Sequence, residues 1–200
     1  MTMIKPTLLR TAMLTPLLLL SGCLGLGGGK PPPTLLRLNS AATAPVGVAV
    51  SGTPSTSLSI AEPEVGKELA AMRVPVRVSD TDIAYLQNAQ WVERPARQFR
   101  ALLAETIRAE SKGLVFEDDQ PIPASGRRLG GKLLDMGYDA RTSSVVVRYD
   151  ALLSGPRDAV SMRRFEARVN GVQAKPEAVG RAINEAANTV AAEVAAWVGG

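Results

Sequence analysis

The sequence predicts a single α+β domain over residues 34–200, in which a mostly antiparallel or mixed sheet is covered on one face by two helices. Three observations support this fold class. Of the 200 residues, 46% are hydrophobic, which is enough apolar material for one packed core. Several short segments alternate apolar and polar residues as strands do, and two longer segments repeat apolar residues at helical spacing.

Strands account for most of the predicted domain. The apolar runs that predict them lie at 34–38, 58–61, 74–78, 83–86, 114–116, 127–138, 145–149 and 165–169. Residues 41–57, rich in small residues and proline, predict a loose connection. Because Pro75 cannot donate a hydrogen bond to a ladder, its strand lies at an edge of the sheet or carries a break. The adjacent Gly130 and Gly131 predict a bulge or a close approach of two backbones.

Two helices complete the predicted domain. Each begins at a proline, Pro95 or Pro176, a residue that is accepted in the first helical turn. The first helix has an apolar stripe from Phe99 to Ile107 and ends near Gly113. The stripe of the second helix is rich in alanine, so this helix can lie close against a sheet. The order of elements is therefore strands, helix, three or four strands, helix.

The first 33 residues precede the domain as a targeting segment and a tether. Lys5 and Arg10 form a positive region ahead of an apolar run over residues 13–20, and this run is too short to span a bilayer as a helix. We therefore predict a signal peptide over residues 1–22. Residues 23–33 contain a glycine run and then three prolines, which predict a flexible tether with a stiff end.

The single cysteine of the chain, Cys23, directly follows the apolar run, behind Leu20, Ser21 and Gly22. This arrangement resembles the lipobox of bacterial lipoprotein precursors, in which small residues let the signal peptidase reach the bond before the cysteine. The resemblance implies that the Cys23 thiol accepts a diacylglyceryl group and that palmitate-type chains anchor the protein in a membrane. Leu24 stands where aspartate retains many enteric lipoproteins in the inner membrane. The resemblance therefore implies an outer-membrane lipoprotein that faces the periplasm, with the inner membrane as the alternative.

The composition excludes several classes of site. The chain has no histidine and one cysteine, so it can form neither a Ser-His-Asp nor a Cys-His arrangement, and no intrachain disulfide. No imidazole or CxxC pair is available for zinc, and we predict no metal and no cofactor. Removal of residues 1–22 leaves 21 basic and 19 acidic residues, and only 4% of the chain is aromatic. We therefore expect no nucleic-acid partner.

Carboxylate pairs are the only candidates for acid–base chemistry. Such pairs occur at Asp118 with Asp119 and at Asp135 with Asp139, but nothing in the sequence places either pair in one cleft. The acidic run at 117–119 lacks the alternating ligand spacing of a calcium loop, so it predicts a solvated turn. No GxSxG motif occurs, and we predict that the protein is not an enzyme.

Four local segments occur in a characteristic order along the domain. They are residues 34–38 after the tether, 83–85 with 91–95, Tyr149 with 151–152, and 165–167 ahead of the final helix. Together with the lipobox, they resemble the auxiliary lipoproteins of ABC-type transport systems, which are encoded beside MCE-domain (MlaD-like) lipid transporters. This family includes the lipoprotein of the paraquat-inducible intermembrane transport system. Leucine stands where the opening segment of the family has tyrosine.

The resemblance implies a fold, a role and partners. The fold is an α/β sandwich, and the role is a non-catalytic part in moving lipids or other hydrophobic substrates between membranes. The partners are an MCE-domain protein and an ABC permease and ATPase, and some members of the family form homo-oligomeric rings. The alternative function is a structural lipoprotein that scaffolds the envelope, although the sequence has no recognisable peptidoglycan-binding motif.

Tyr85 and Trp91 are the candidate partner contacts within this resemblance, because aromatic residues often anchor interfaces. The simpler interpretation of both is core packing beneath the first helix. The basic pairs at 127–128 and 163–164 are open to a similar choice. They could contact lipid phosphates or an acidic partner, but a solvated strand face is the simpler interpretation.

Overall fold

The computed structural model of the protein describes residues 34–120 and 126–199. These residues belong to one compact unit, Pro32–Gly200. The predicted signal peptide at 1–22 and tether at 23–33 lie outside the described residues.

The described residues form a mixed sheet of nine strands. In chain order these are β1 (Thr34–Leu36), β2 (Leu58–Ile60), β3 (Glu64–Val65), β4 (Arg73–Arg77), β5 (Ile83–Trp91), β6 (Val115–Glu117), β7 (Arg127–Asp139), β8 (Ser144–Ser154) and β9 (Val160–Val169). Strand β7 is the centre of the sheet. Along one edge it pairs antiparallel with β8, which pairs in turn with β9. Along its other edge β7 pairs in parallel with three short strands, β2, β3 and β4. Strand β6 pairs with the outer side of β2, whereas β5 pairs with the outer side of β4 and β1 pairs in turn with β5.

Two long helices cover one face of this sheet, which confirms the predicted fold class. The described helices are α1 (Lys67–Ala70), α2 (Pro95–Glu110) and α3 (Pro176–Gly199). Helices α2 and α3 pack against each other, and α3 lies along β8 and β9. Both begin at the predicted prolines. Their apolar faces and alternate residues of β7 and β8 form the core, whose fully buried large side chains include Phe99, Leu103, Leu133, Tyr149 and Ile183.

The structure shows what happens at the two positions where irregular strands are predicted, Pro75 and the Gly130–Gly131 pair. Strand β4 pairs on both sides, so the edge position for Pro75 is wrong, whereas the break is confirmed by a register shift between Arg73 and Pro75. Gly131 marks a close backbone approach, because a Cβ there would lie 1.9 Å from the carbonyl oxygen of Asp150. The bulge of β7 lies further along, between Leu133 and Asp135.

Several elements differ in length from the prediction. Strands β8 and β9 extend beyond the apolar runs at 145–149 and 165–169. They extend because their additional residues include oppositely charged partners, such as Asp150 opposite Arg164, that pair across the strands. Strand β3 and helix α1, with two and four residues, are too short to leave a periodic pattern in the sequence.

Candidate functional site

The predicted lipid-attachment motif, Leu20, Ser21, Gly22 and Cys23, lies outside the described residues. No helix in the described part of the chain combines the length and the apolar character needed to span a bilayer. Acylation of Cys23 therefore stays a prediction from the sequence.

Trp91, the last residue of β5, is a core residue. Its side chain is 2% exposed, and its backbone N–H donates to the carbonyl oxygen of Met72 at 3.0 Å. The buried indole Nε1 has no hydrogen-bond partner among the described residues. Because so little of the ring reaches the surface, Trp91 offers no contact area to a partner in this conformation.

Tyr85 lies in the same strand but outside the core, so its interpretation as a core residue is wrong. The ring is half-buried, and the Arg73 guanidinium carbon lies 4.7 Å from the ring centroid. Tyr85 also lines a shallow groove of about 390 Å³, together with Tyr138 and Pro176. Tyr85 therefore keeps the surface that a partner contact requires, and its role stays a prediction.

A ladder of ion pairs crosses the face of the sheet that lies opposite α2 and α3. Asp135 accepts hydrogen bonds from Arg77 at 2.7 Å and from Arg148 at 2.6 Å, one on each carboxylate oxygen. Arg148 also donates through Nε to Glu166 at 2.6 Å. The register explains this ladder, because Asp135 lies opposite Arg148 and Arg148 lies opposite Glu166 in adjacent strands.

A second rung joins Asp150 to Arg164 by two hydrogen bonds of 2.6 and 2.7 Å. The bond from Arg164 lowers the pKa of Asp150, and the bond from Arg148 lowers the pKa of Glu166. Both carboxylates therefore stay ionised well below neutral pH while the protein is folded. Arg164 is thus engaged by its own chain rather than free for a lipid phosphate.

These pKa shifts predict an acid-sensitive fold. Because the folded-state pKa of Asp150 and Glu166 lies below the unfolded values of about 3.9 and 4.3, their stabilisation is present above those values. It is lost as the pH falls through the folded-state pKa. We expect the free energy of unfolding, measured by urea denaturation, to fall steeply below about pH 4. The fall should be shallower in Arg148→Gln, and an equal slope in both proteins would contradict this attribution.

A pocket of about 300 Å³ opens where the parallel ladder along β7 is interrupted. On this edge β3 pairs as far as Leu133 and β4 begins at Tyr138, so the intervening stretch has no strand partner there. The apolar residues that line the pocket include Leu69, Pro75, Ile83, Leu134 and Val146. Arg77 and Arg148 also line it. The pocket is at the small end of the range for ligand sites, with an apolar lining and a few convergent charges.

The pocket brings together Asp135 and Asp139, which the sequence alone places on no common cleft. The pKa of Asp139 is lowered chiefly by hydrogen bonding to Arg141. Asp135 is shared between two arginines, as described above. Because its pKa is lowered, Asp139 is a poor proton donor near neutral pH. Within the described part of the chain, no group of three or more cysteine or acidic residues could hold a metal ion.

The acidic run at 117–119 is clamped by α2 rather than simply solvated, which corrects the prediction. The Arg100 side chain, 7% exposed, donates through Nε to Glu117 at 3.2 Å and through Nη2 to Asp119 at 2.6 Å. Arg108 also reaches Glu117 at 3.4 Å. The local sequence could not reveal this clamp, because Arg108 and Arg100 lie 9 and 17 residues before Glu117, in a helix that ends at Glu110.

Loss of this clamp should destabilise the domain. Replacing Arg100 by methionine keeps the apolar stem but leaves Glu117 partly buried with a weaker partner. We expect the free energy of unfolding to fall by about 2 kcal/mol, less than for a fully buried pair, because Asp119 is half-exposed. Arg97→Met in the same helix is the matched control: Arg97 forms only exposed ion pairs, with Glu93 at 3.0 Å and Asp119 at 3.8 Å, so its loss should cost about 0.5 kcal/mol or less. Equal losses in the two variants would contradict the clamp.

The other three arginines of the basic pairs at 127–128 and 163–164 also have partners within the chain. Arg127 donates to the carbonyl oxygen of Val198 at 2.7 Å, and Arg128 forms an ion pair with Asp118. The Arg163 guanidinium lies 4.9 Å from the ring centroid of Phe165. The arginines of the basic pairs thus lie on the sheet and contact other groups of the same chain. The two carboxylates at 118–119 likewise have different partners: Asp118 pairs with Arg128, and Asp119 pairs with Arg100 and Arg97.

Comparison with known protein families identifies the family of the domain. Residues 37–195 match the family described as ABC-type transport auxiliary lipoprotein component. No curated protein matches the chain.

Solved structures share the fold at low sequence identity. Protein XCC0632 from Xanthomonas campestris, assigned to the family DUF330, is 18% identical with a TM-score of 0.64, and the alignment covers 84% of this chain and 92% of that one. An uncharacterized protein is 14% identical with a TM-score of 0.64, over 82% of this chain and 99% of that one. The PelC dodecamer from Paraburkholderia phytofirmans is 12% identical with a TM-score of 0.40, over 78% of this chain and 92% of that one. That last likeness is too distant to bear on how this chain assembles.

Proposed function

We propose, from the premise that this chain belongs to the ABC-type transport auxiliary lipoprotein family, that it is a membrane-tethered, non-catalytic part of an ABC-type transport system. The observation that carries the proposal is the family match over residues 37–195, which spans nearly the whole described domain. The lipobox at residues 20–23 agrees with a lipoprotein.

The charged groups of the pocket support a binding role over proton transfer. Asp135 forms ion pairs with two arginines, and hydrogen bonding to Arg141 lowers the pKa of Asp139. A catalytic acid would instead need a raised pKa. A component that binds and positions other proteins needs a shaped surface, which the domain supplies, and a tether, which residues 23–33 are predicted to supply.

More specifically, the protein would be anchored in the outer membrane and act with an MCE-domain protein, an ABC permease and an ATPase to move lipids or other hydrophobic substrates. Leu24 supports outer-membrane sorting, because it replaces the aspartate that marks inner-membrane retention. The four ordered segments that resemble MCE-associated lipoproteins support the choice of partners. The same resemblance is the reason to look for a homo-oligomeric ring by native mass spectrometry.

The candidate partner contact within the domain is Tyr85. Its ring is partly exposed beside a groove and lies under the Arg73 guanidinium, and aromatic and arginine side chains are the types enriched at interface hot spots. Trp91 would support this contact only indirectly, as a core residue at the end of the same strand.

Gene deletion tests the transport role. Deletion of this gene and deletion of the ABC permease gene should cause the same change in lipid distribution between the two membranes, with no further change in the double deletion. Altered cell shape or outer-membrane protein assembly with a normal lipid distribution would contradict the proposal. That result would favour a structural envelope lipoprotein.

A further inference from the structure

The apolar loop at residues 45–50, here called the valine tip, lies exposed on the surface of the domain. Val46 is fully exposed, and Val48 and Val50 are 60% and 46% exposed. No charged residue occurs from residue 38 to residue 61. A group of neighbouring exposed apolar side chains, with no charge among them, is typical of a surface that contacts a protein or a membrane.

The base of the valine tip is held in place on both sides. On the N-terminal side, backbone N–H groups donate to side chains of α2 and α3: Leu38 to Gln98 at 2.9 Å, Asn39 to Asn184 at 2.7 Å, Ala41 to Asn188 at 2.7 Å and Ala44 to Glu105 at 2.9 Å. On the C-terminal side, the carbonyl oxygen of Pro54 accepts from the backbone N–H of Gly126 at 2.7 Å. The domain therefore presents the tip at a defined place beside α2, whereas the sequence predicts only a loose connection at 41–57.

We propose that the valine tip inserts shallowly into the bilayer that carries the lipid anchor, as a second membrane contact of the domain. The proposal rests on the proposed acylation of Cys23. Eleven peptide links join Cys23 to Thr34, so covalent geometry keeps the start of the domain within roughly 40 Å of the anchor. The tether thus holds the tip at a high effective concentration near that bilayer.

The composition of the tip favours a bilayer over a protein partner. Hot spots of protein interfaces are enriched in tryptophan, tyrosine and arginine and depleted in valine, and the tip contains only valine, proline, glycine and alanine. It also contains no charge that would have to lose its hydration in the bilayer. The depth must be shallow, because extended backbone N–H groups need the water of the headgroup region.

This contact would orient the domain. The chain that leads to the tip lies against α2 and α3, so their outer side would face the membrane. The ion-paired face of the sheet, opposite these helices, would then face the periplasm and remain available to other components.

A fluorescent label at the tip tests the proposal on the full, lipidated chain. Cys23 is the only native cysteine, so Val48→Cys provides the single free thiol of the acylated protein. An NBD label there, with the protein in phosphatidylethanolamine–phosphatidylglycerol vesicles, should emit at shorter wavelength than in detergent-free buffer. It should also be about threefold or more less accessible to an aqueous quencher than the same label in Thr81→Cys, an exposed turn. Adding Val46→Ser and Val50→Ser should remove most of this protection.

Three results would overturn the proposal. Equal quenching at positions 48 and 81 would show that the tip stays in water. Protection that appears only when purified transporter components are added would assign the tip to a protein partner. Failure of the unlabelled protein to float with vesicles would contradict the lipid anchor itself, whereas flotation with an accessible label contradicts the tip contact alone.

Discussion

Replacing Cys23 by alanine is expected to abolish acylation and with it the lipid anchor of the protein. Without the thiol no thioether to diacylglycerol can form, and a lipoprotein signal peptidase has no modified substrate. One acyl chain gives only marginal membrane binding, whereas two or more give stable anchoring. A protein without any acyl chain therefore loses all of its lipid-mediated membrane binding. The valine tip alone is too small to compensate for them.

Mass spectrometry of the intact protein measures this effect. The wild-type protein should begin at residue 23 and carry the mass of its acyl chains, whereas the Cys23→Ala protein should carry none and retain its leader. In the matched control, residues 1–22 of the alanine variant are exchanged for a non-lipoprotein signal peptide. That protein should move almost entirely into the soluble periplasmic fraction. Acyl mass on the alanine variant would contradict the assignment of Cys23.

Replacing Gly131 by alanine is expected to bring the domain close to unfolding. A Cβ at this position would lie 1.9 Å from the carbonyl oxygen of Asp150, and the backbone φ of +129° is one that residues with side chains rarely adopt. To relieve this clash, β7 and β8 would have to separate, and these two strands form the longest pairing in the sheet. We expect a loss of more than about 3 kcal/mol, a large part of the about 5–15 kcal/mol that holds a typical domain.

Denaturant unfolding of Gly131→Ala beside Gly113→Ala measures this loss. Gly113 follows α2, and a Cβ there would meet nothing within 4 Å, so its replacement should change the free energy of unfolding by about 0.5 kcal/mol or less. A wild-type midpoint for Gly131→Ala would contradict the close approach of the two strands.

Elements with strong local signals could be predicted from the sequence. Prolines 95 and 176 and the apolar stripes behind them mark α2 and α3, because helix starts and periodicity are local properties. The run at 145–149, which has a high β-propensity, marks the centre of β8 for the same reason.

What could not be predicted depends on contacts between distant segments. The interior position of Pro75 follows from the pairing of β4 with both β5 and β7. The pocket that joins Asp135 to Asp139 exists because β3 and β4 leave a gap along β7, which no local pattern records. Sequence reasoning also overlooked the arginines that bind these carboxylates, although the regular spacing of arginine and acidic residues along β8 and β9 could have indicated cross-strand pairs.

Co-purification from intact membranes tests the central claim most directly. The tagged, acylated protein, crosslinked in cells and isolated from detergent-solubilised envelopes, should retain an ABC permease, its ATPase and an MCE-domain protein at levels far above a tagged outer-membrane lipoprotein of unrelated fold. Recovery of the acylated protein without any ABC or MCE component would contradict the claim that it works as an auxiliary part of such a transporter.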